Sequence, residues 1–533
     1  MDNLVVIILV IALIIGYASL ITYLSRRKVL EKYNMSSWYG FIMWRTKRGR
    51  KFVDLLAKPK RFWHVYAFLA KAICLIIMVS IMALLIWEAS LVTNIPADQA
   101  PTPDMLIGLP GINPLIPLWY GVLALAIGVA VHEIGHGIMT RVAGMKIKSM
   151  GLLLFIFPVG AFVEPDEEAL VKAKKKIRTS IYAAGPATNI VLALFCAFIF
   201  STVMVGSAEV AHDGPVITSV YGGTPADLGG LSGGYQILSI NGVPVSYEDL
   251  YDLDAPEPGS LMTLTYQYQG EEFTTTVHSG IVVLGVIEGL PAANAGLKPG
   301  MIIHSIYGHS IDGNILYNEA RFRETLSELE IGKQYDIVAL EYDADSNSYL
   351  VNENVKTITP VNRADHVTGG ANMAYLGVTS LYLGAGIMNP QAVLDRMANP
   401  YMGADSFGDY LSGTLSYIAL PFTGLQPLDG FYRDIFVPGG AFAGWDGNVF
   451  WVTANCVYWI FWINLMLGMT NALPAVPLDG GYLFRDWIDS VVRRIKKGIS
   501  EEDRERYVSS ITYMFIMLVV FLIAWQLIGP RLF

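Results

Sequence analysis

Residues 115–137 read LIPLWYGVLALAIGVAVHEIGHG. The first sixteen carry no charge, which suits a helix buried in protein or in a bilayer. On a helix, positions four apart share a face, so His132 and His136 point the same way. With Glu133 between them they form H-E-x-x-H, in which two imidazoles bind zinc and the glutamate is the general base. Such a trio at membrane depth costs several kcal/mol unless compensated. A metal ion compensates it; a lipid-facing surface does not. The alternative, a chance pentapeptide at a helix end, turns on whether the chain holds a third ligand.

The composition sets the class. The chain is 53% hydrophobic and 16% charged, against about 25% charged in soluble domains. It reads as a membrane protein with a soluble part. Cys74, Cys196 and Cys456 lie in apolar runs without a C-x-x-C pair, which excludes a thiolate zinc site and a disulfide framework. The net charge of −9 is unevenly spread and forms no basic stripe, so nucleic acid is not an expected partner.

Working outward, spans are expected at residues 4–24, 66–87, 115–140, 181–205, 450–469 and 507–528, about six in all. The first lacks a basic leader and a small-residue cleavage site, so it reads as an anchor rather than a removed signal peptide. Residues 26–61 are densely basic, which places that loop in the cytoplasm; it also suits anionic lipid, and the two readings are compatible. The third span then returns inward, putting His132, Glu133 and His136 in the cytoplasmic part of the bilayer. Residues 151–163 (GLLLFIFPVGAFV) are too short to span, and Pro158 and Gly160 suggest a hairpin or re-entrant loop. The fourth span contains Gly185-Pro186-Ala187-Thr188-Asn189. An amide there serves either a site or simple helix–helix hydrogen bonding.

Between residues 210 and 362 the character changes: five Lys plus Arg stand against twenty Asp plus Glu, with short alternating strands. A repeat at an offset of 66 aligns PADLGGLSGGYQILSINGVPV (225–245) with PAANAGLKPGMIIHSIYGHSI (291–311). The pattern resembles PDZ domains, here two in tandem at 210–280 and 281–362, extracytoplasmic by topology. They serve either to take an extended peptide as an added strand or as rigid spacers. Residues 363–448 stay unassigned; the apolar stretch 411–424 is re-entrant, peripheral or packed on the outer face.

A catalytic zinc needs a third protein ligand and an open position. Charge bias places Asp479 near the same face as the histidines, in Asn471-Ala-Leu-Pro474-Ala-Val-Pro477-Leu-Asp479-Gly480-Gly481, where prolines and glycines break the helix. Asp429, in a second Pro-Leu-Asp-Gly, falls on the opposite side. Topology therefore selects Asp479.

His132-Glu133-Ile134-Gly135-His136, Gly185-Pro186-Ala187-Thr188-Asn189 and the Asn471–Gly480 motif, in this order, resemble the site-2 protease family of intramembrane zinc metalloproteases. The resemblance covers residues 115–205 and 450–485. It implies that His132, His136 and Asp479 bind zinc (Zn2+), that Glu133 activates water, and that Asn189 helps hold the scissile carbonyl or oxyanion. It also implies substrate contacts from Asn471 and from Gly160 and Phe162 of the hairpin.

The tandem insertion is similar to that of bacterial members that cleave anti-sigma factors. Two features depart from those members: a two-span extension with its basic loop (1–114) precedes the first membrane protease segment (115–206), and residues 363–448 have no counterpart. The second membrane protease segment is 449–490, and 491–533 forms a basic segment and last span. The expected fold is thus a polytopic α-helical membrane protein with an inserted soluble α+β region of two PDZ-like domains. The expected function is regulated intramembrane proteolysis in the cell membrane, with transmembrane protein substrates and the lipid bilayer as partners. The rival reading is a membrane-tethered PDZ adaptor or chaperone without catalysis.

Overall fold

The computed structural model describes residues 3–38, 41–46, 48–92, 100–154, 158–252, 256–308, 311–316, 318–367 and 370–532. The chain forms two compact units: residues 1–203 with 418–427 and 452–533, and residues 204–417 with 428–451.

The first unit is mainly helical. Its long helices are α1 (Asn3–Arg26), α3 (Lys60–Leu91), α4 (Leu118–Val142), α5 (Lys175–Phe198), α6 (Gly447–Asn471, whose first turn belongs to the other unit) and α8 (Glu501–Ile528). Two shorter ones, α2 (Arg48–Leu56) and α7 (Asp479–Ile495), complete the set used below. Among the described residues, α3, α4, α5 with its extension to Ser207, α6 and α8 are long and apolar enough to cross a membrane. These match five of the six expected spans. The other, residues 4–24, falls on α1, part of whose side chains lie outside the described residues. Large apolar side chains such as Phe68, Val79, Leu194, Tyr513 and Met517 stand exposed on these helices. Such faces suit lipid rather than water.

Small residues set how closely the helices approach, as is usual where both partners are apolar. Ala70 and Cys74 of α3 pack on Ala183 and Ala187 of α5. A Cβ on Gly135 of α4 would stand 2.6 Å from Thr188 Oγ1 and 3.0 Å from Ala184 O of α5. The α4–α5 approach therefore requires glycine at 135.

One sheet belongs to this unit, in the order β1 (Met35–Trp38), β2 (Phe41–Arg45), β3 (Ile147–Leu154), β4 (Pro158–Pro165), antiparallel throughout. The expected hairpin is present as β3–β4 and starts earlier than residue 151; residues 155–157 of that expectation lie outside the described residues. The basic stretch 26–61, read as a loop, instead supplies two strands and α2. Val53 of α2 packs with Ile138, Ile147 and Val163, tying the N-terminal segment to the zinc-motif helix and the hairpin.

The second unit holds two lobes of like topology. The first sheet runs β8-β7-β6-β5-β14, from β5 (Val216–Val220), β6 (Gln236–Ile240), β7 (Leu261–Tyr268), β8 (Glu271–His278) and β14 (Ala385–Met388). The second runs β12-β11-β10-β9-β13, from β9 (Ile281–Val286), β10 (Ile302–Gly308), β11 (Tyr335–Asp343), β12 (Ser348–Val351) and β13 (Val378–Tyr382). The repeat is structural: the short helices Pro225–Leu228 and Pro291–Asn294 occupy matching places, and one continuous core joins the lobes. The stretch left unassigned in the sequence thus supplies the outermost strand of each sheet. Leu383 and Gly384, at φ 59° and 73°, turn the chain from one sheet to the other.

Candidate active site

The H-E-x-x-H motif lies on α4, and helical spacing brings both imidazoles to the side facing α5. His136 Nδ1 donates to the carbonyl of Ile181 on α5 at 2.8 Å. That bond fixes the ring and leaves Nε2 with a free lone pair, the arrangement a metal-binding histidine needs. His132 Nδ1 lies 3.3 Å from the side-chain amide of Asn189, also on α5. Asn189 is fully buried, and its Oδ1 has no partner with the amide nitrogen turned to the ring. The opposite amide orientation gives the ring an acceptor, with Oδ1 accepting from His132 Nδ1–H.

Asp479 is the first residue of α7, reached through residues 472–478 and a cis Val476–Pro477 bond. The glycines after it are required by close packing. A Cβ on Gly480 would stand 2.2 Å from Ala472 O, and one on Gly481 would stand 2.4 Å from the Ala475 carbonyl carbon. Only glycine lets α7 begin against that turn.

Asp479 Oδ2 sits 3.1 Å from His132 Nε2 and 3.1 Å from His136 Nε2, and the two nitrogens are 3.1 Å apart. Among the described residues this is the group of three His, Cys, Asp or Glu side chains that could share a metal ion. The triangle can be tested against the ion. Tetrahedral zinc with bonds near 2.0 Å needs donor separations of about 3.3 Å, close to those found. Two neutral nitrogens and one carboxylate form a common catalytic donor set, and they leave one position open. The residues fit the ion.

Glu133, next to His132, is turned toward β4: its Oε2 accepts from the backbone N–H of Val163 at 2.8 Å. Val163 N–H points away from β3, because Met150, its register partner, gives its carbonyl to Thr46 on the β2 side. The outer edge of β4 therefore faces the glutamate. Gly160 and Phe162 lie on this strand and are partly exposed.

The structure brings together five of the residues read from sequence: His132, Glu133, His136, Asn189 and Asp479. Asn471 uses its amide within its own helix, donating to Leu467 O at 3.0 Å. Asp429 belongs to the other unit, where it pairs with Arg433 at 3.0 Å. Sequence reasoning missed the contribution of Gly185. A Cβ there would stand 2.4 Å from His136 Nε2 and 2.6 Å from His132 Nε2. It also missed the backbone partners Ile181 and Val163, whose side chains give no signal of the role.

A model of peptidase family M50 matches residues 120–519, that is 400 of the 533 residues. The chain belongs to peptidase family M50. The matched span of this M50 member includes the H-E-x-x-H helix, the strand insertion and the Asp479 segment. It is 36% identical over 193 residues to an uncharacterized protein of Methanocaldococcus jannaschii, covering 35% of this chain and 49% of that protein. It is 29% identical over 238 residues to a protein of Neisseria meningitidis named as a putative zinc metalloprotease (34% and 51%), and 28% over 214 residues to one so named from Clostridium perfringens (34% and 62%). The chain spans about half the length of the first two curated relatives.

Proposed function

We propose that this M50 peptidase is an intramembrane zinc metalloprotease that hydrolyses peptide bonds in transmembrane segments of other membrane proteins. The observation that carries the reading is the 3.1 Å triangle of His132, His136 and Asp479, with Glu133 beside it on the same helix. His132, His136 and Asp479 would hold the zinc, which supplies Lewis acidity toward a carbonyl and a water.

Glu133 takes a proton from the attacking water and returns it to the leaving amide nitrogen. Asn189 holds His132 in the tautomer whose Nε2 faces the triangle. A substrate helix keeps its backbone groups bonded internally, so it must unwind before attack. The outer edge of β4, the strand that carries Gly160 and Phe162, is suited to hold the unwound segment as an added strand through the outward backbone groups of residues such as Ala161. Pro158 and Pro165, which lack N–H donors, bound that edge. The tandem lobes of the second unit are read as PDZ-like domains on the extracytoplasmic side that filter or position substrates.

The test is zinc content of the purified full chain beside His136→Ala, Asp479→Ala and Asp429→Ala, followed by cleavage of a transmembrane substrate before and after chelation. One zinc per chain, lost with His136 or Asp479 and kept with Asp429, supports the reading. Absence of both zinc and cleavage would replace it with the adaptor, and cleavage indifferent to chelation would overturn the metal mechanism.

A further inference from the structure

Helix α5 meets the ligand set along a single stripe. Ile181 holds His136, Gly185 underlies both imidazoles, and Asn189 meets His132. These positions recur at spacings of four, which keeps them on one helix face. Three residues before Ile181, the same face carries Arg178. Its Nε donates to Asp486 Oδ2 at 2.8 Å, and its Nη2 donates to Asp486 Oδ1. Asp486 lies on α7 two turns after Asp479, so the two carboxylates point together toward α5.

The pair is sheltered: the Asp486 side chain is 8% exposed and that of Arg178 21%. The rest of this packing surface fixes no register of its own: Ala183 and Ala187 lie against Leu483, Tyr182 stacks on Tyr482, and Lys175 reaches Asp489 as a point charge on a flexible stem. Small apolar surfaces permit a helix to slide along its axis. A two-point guanidinium–carboxylate bond does not, because both donors and both acceptors are fixed in one plane. A slide of one residue, about 1.5 Å, would take Asp479 Oδ2 out of reach of the imidazoles.

We propose that Arg178 is a positioning residue for the metal centre: through its bidentate bond to Asp486 it sets the register of α7 on α5, and so the place of Asp479. This rests on the zinc reading above.

The experiment measures zinc affinity by competition with a chromophoric chelator, and melting temperature without metal, on the full chain in detergent. The variants are Arg178→Gln, Arg178→Lys, Asp486→Asn, the Arg178→Gln/Asp486→Asn double, Arg485→Gln and His136→Ala. Arg485 pairs with Glu505 on the exposed side of α7 and serves as the control. Arg178→Gln and Asp486→Asn should each weaken zinc about 10–100-fold, as removal of an outer-shell partner does. The double should weaken it no further, Arg178→Lys should fall between, and Arg485→Gln should match wild type. A lower melting temperature with zinc affinity within twofold of wild type would show a merely structural pair and overturn the proposal. If Arg178→Gln does not fold, the lysine variant decides by the same criterion. Should His136→Ala bind zinc as wild type does, the zinc reading itself fails, whatever Arg178 does.

Discussion

Gly185→Ala adds one methyl to α5 and tests whether this helix bounds the metal centre. The new Cβ would stand 2.4 Å from His136 Nε2, 2.6 Å from His132 Nε2 and 2.7 Å from His132 Cε1. Ordinary contact begins near 3.4 Å, so about 1 Å of displacement is needed. His136 cannot swing freely, because its other nitrogen is bonded to Ile181 one turn earlier on the same helix. The helices already touch at Gly135, so separating them by 1 Å also breaks packing. Either response opens the 3.1 Å triangle toward 4 Å, beyond the roughly 0.2 Å tolerance of a zinc bond. We expect zinc affinity to fall by about 100-fold or more, the upper end for disturbing ligand orientation. Stability should change much less. Overpacking costs about 1–3 kcal/mol, and replacing glycine in a helix returns about 1 kcal/mol. The assay is zinc per chain and chelator competition, beside the metal-free melting temperature. Wild-type zinc affinity in Gly185→Ala would refute the placement of α5 against the imidazoles.

Three further outcomes are expected. Glu133→Gln should retain zinc while cleavage falls by about 100–10,000-fold, the range for a lost general base; loss of zinc would make Glu133 a ligand instead. Asn189→Ala should weaken zinc by about 10–100-fold through His132. Unchanged zinc affinity with a fall in kcat of about 100–1,000-fold would return Asn189 to the carbonyl-holding role. Gly151→Ala would place a Cβ 1.9 Å from Trp44 O, so it should part β2 from β3, cost about 1–3 kcal/mol and speed amide exchange in residues 41–45. Wild-type exchange there would contradict the four-stranded sheet.

What could be read from the sequence was whatever a local spacing encodes. His132 and His136 announce a shared helix face because the helix period itself links them. Asp479 carries no such local signal, and Pro-Leu-Asp-Gly occurs twice. Charge bias along the membrane spans separated Asp479 from Asp429, and the two fall in different units. The strands β1 and β2 were hidden because four or five residues show no decisive period, and β3, which ties β2 to the rest of the sheet, lies about a hundred residues away. Strands β13 and β14 were hidden for the same reason, with the added obstacle that adjacent residues serve two different sheets. Arg178 was legible only as one more cytoplasmic cation. Its bond to Asp486, 308 residues on, is a property of packing. Ile181 and Val163 act through backbone atoms that every residue type except proline offers in full.

The same contrast accounts for how a ligand can come from so far along the chain. Asp479 lies 347 residues from His132, with the whole second unit between them in sequence. Chain continuity cannot hold such a ligand in place, since closing a loop grows more costly only slowly with its length and orients nothing. The geometry has to come from packing, and α5 is the element that touches both imidazoles and the helix bearing the third ligand: Ile181 and Asn189 orient the imidazoles, Gly185 admits them, and Arg178 bonds to Asp486 on the helix that carries Asp479. An inserted region of any size leaves those contacts unchanged provided α6 and α7 return to α5. The insertion is therefore free to vary in size and role, while the stripe from Arg178 to Asn189 is not.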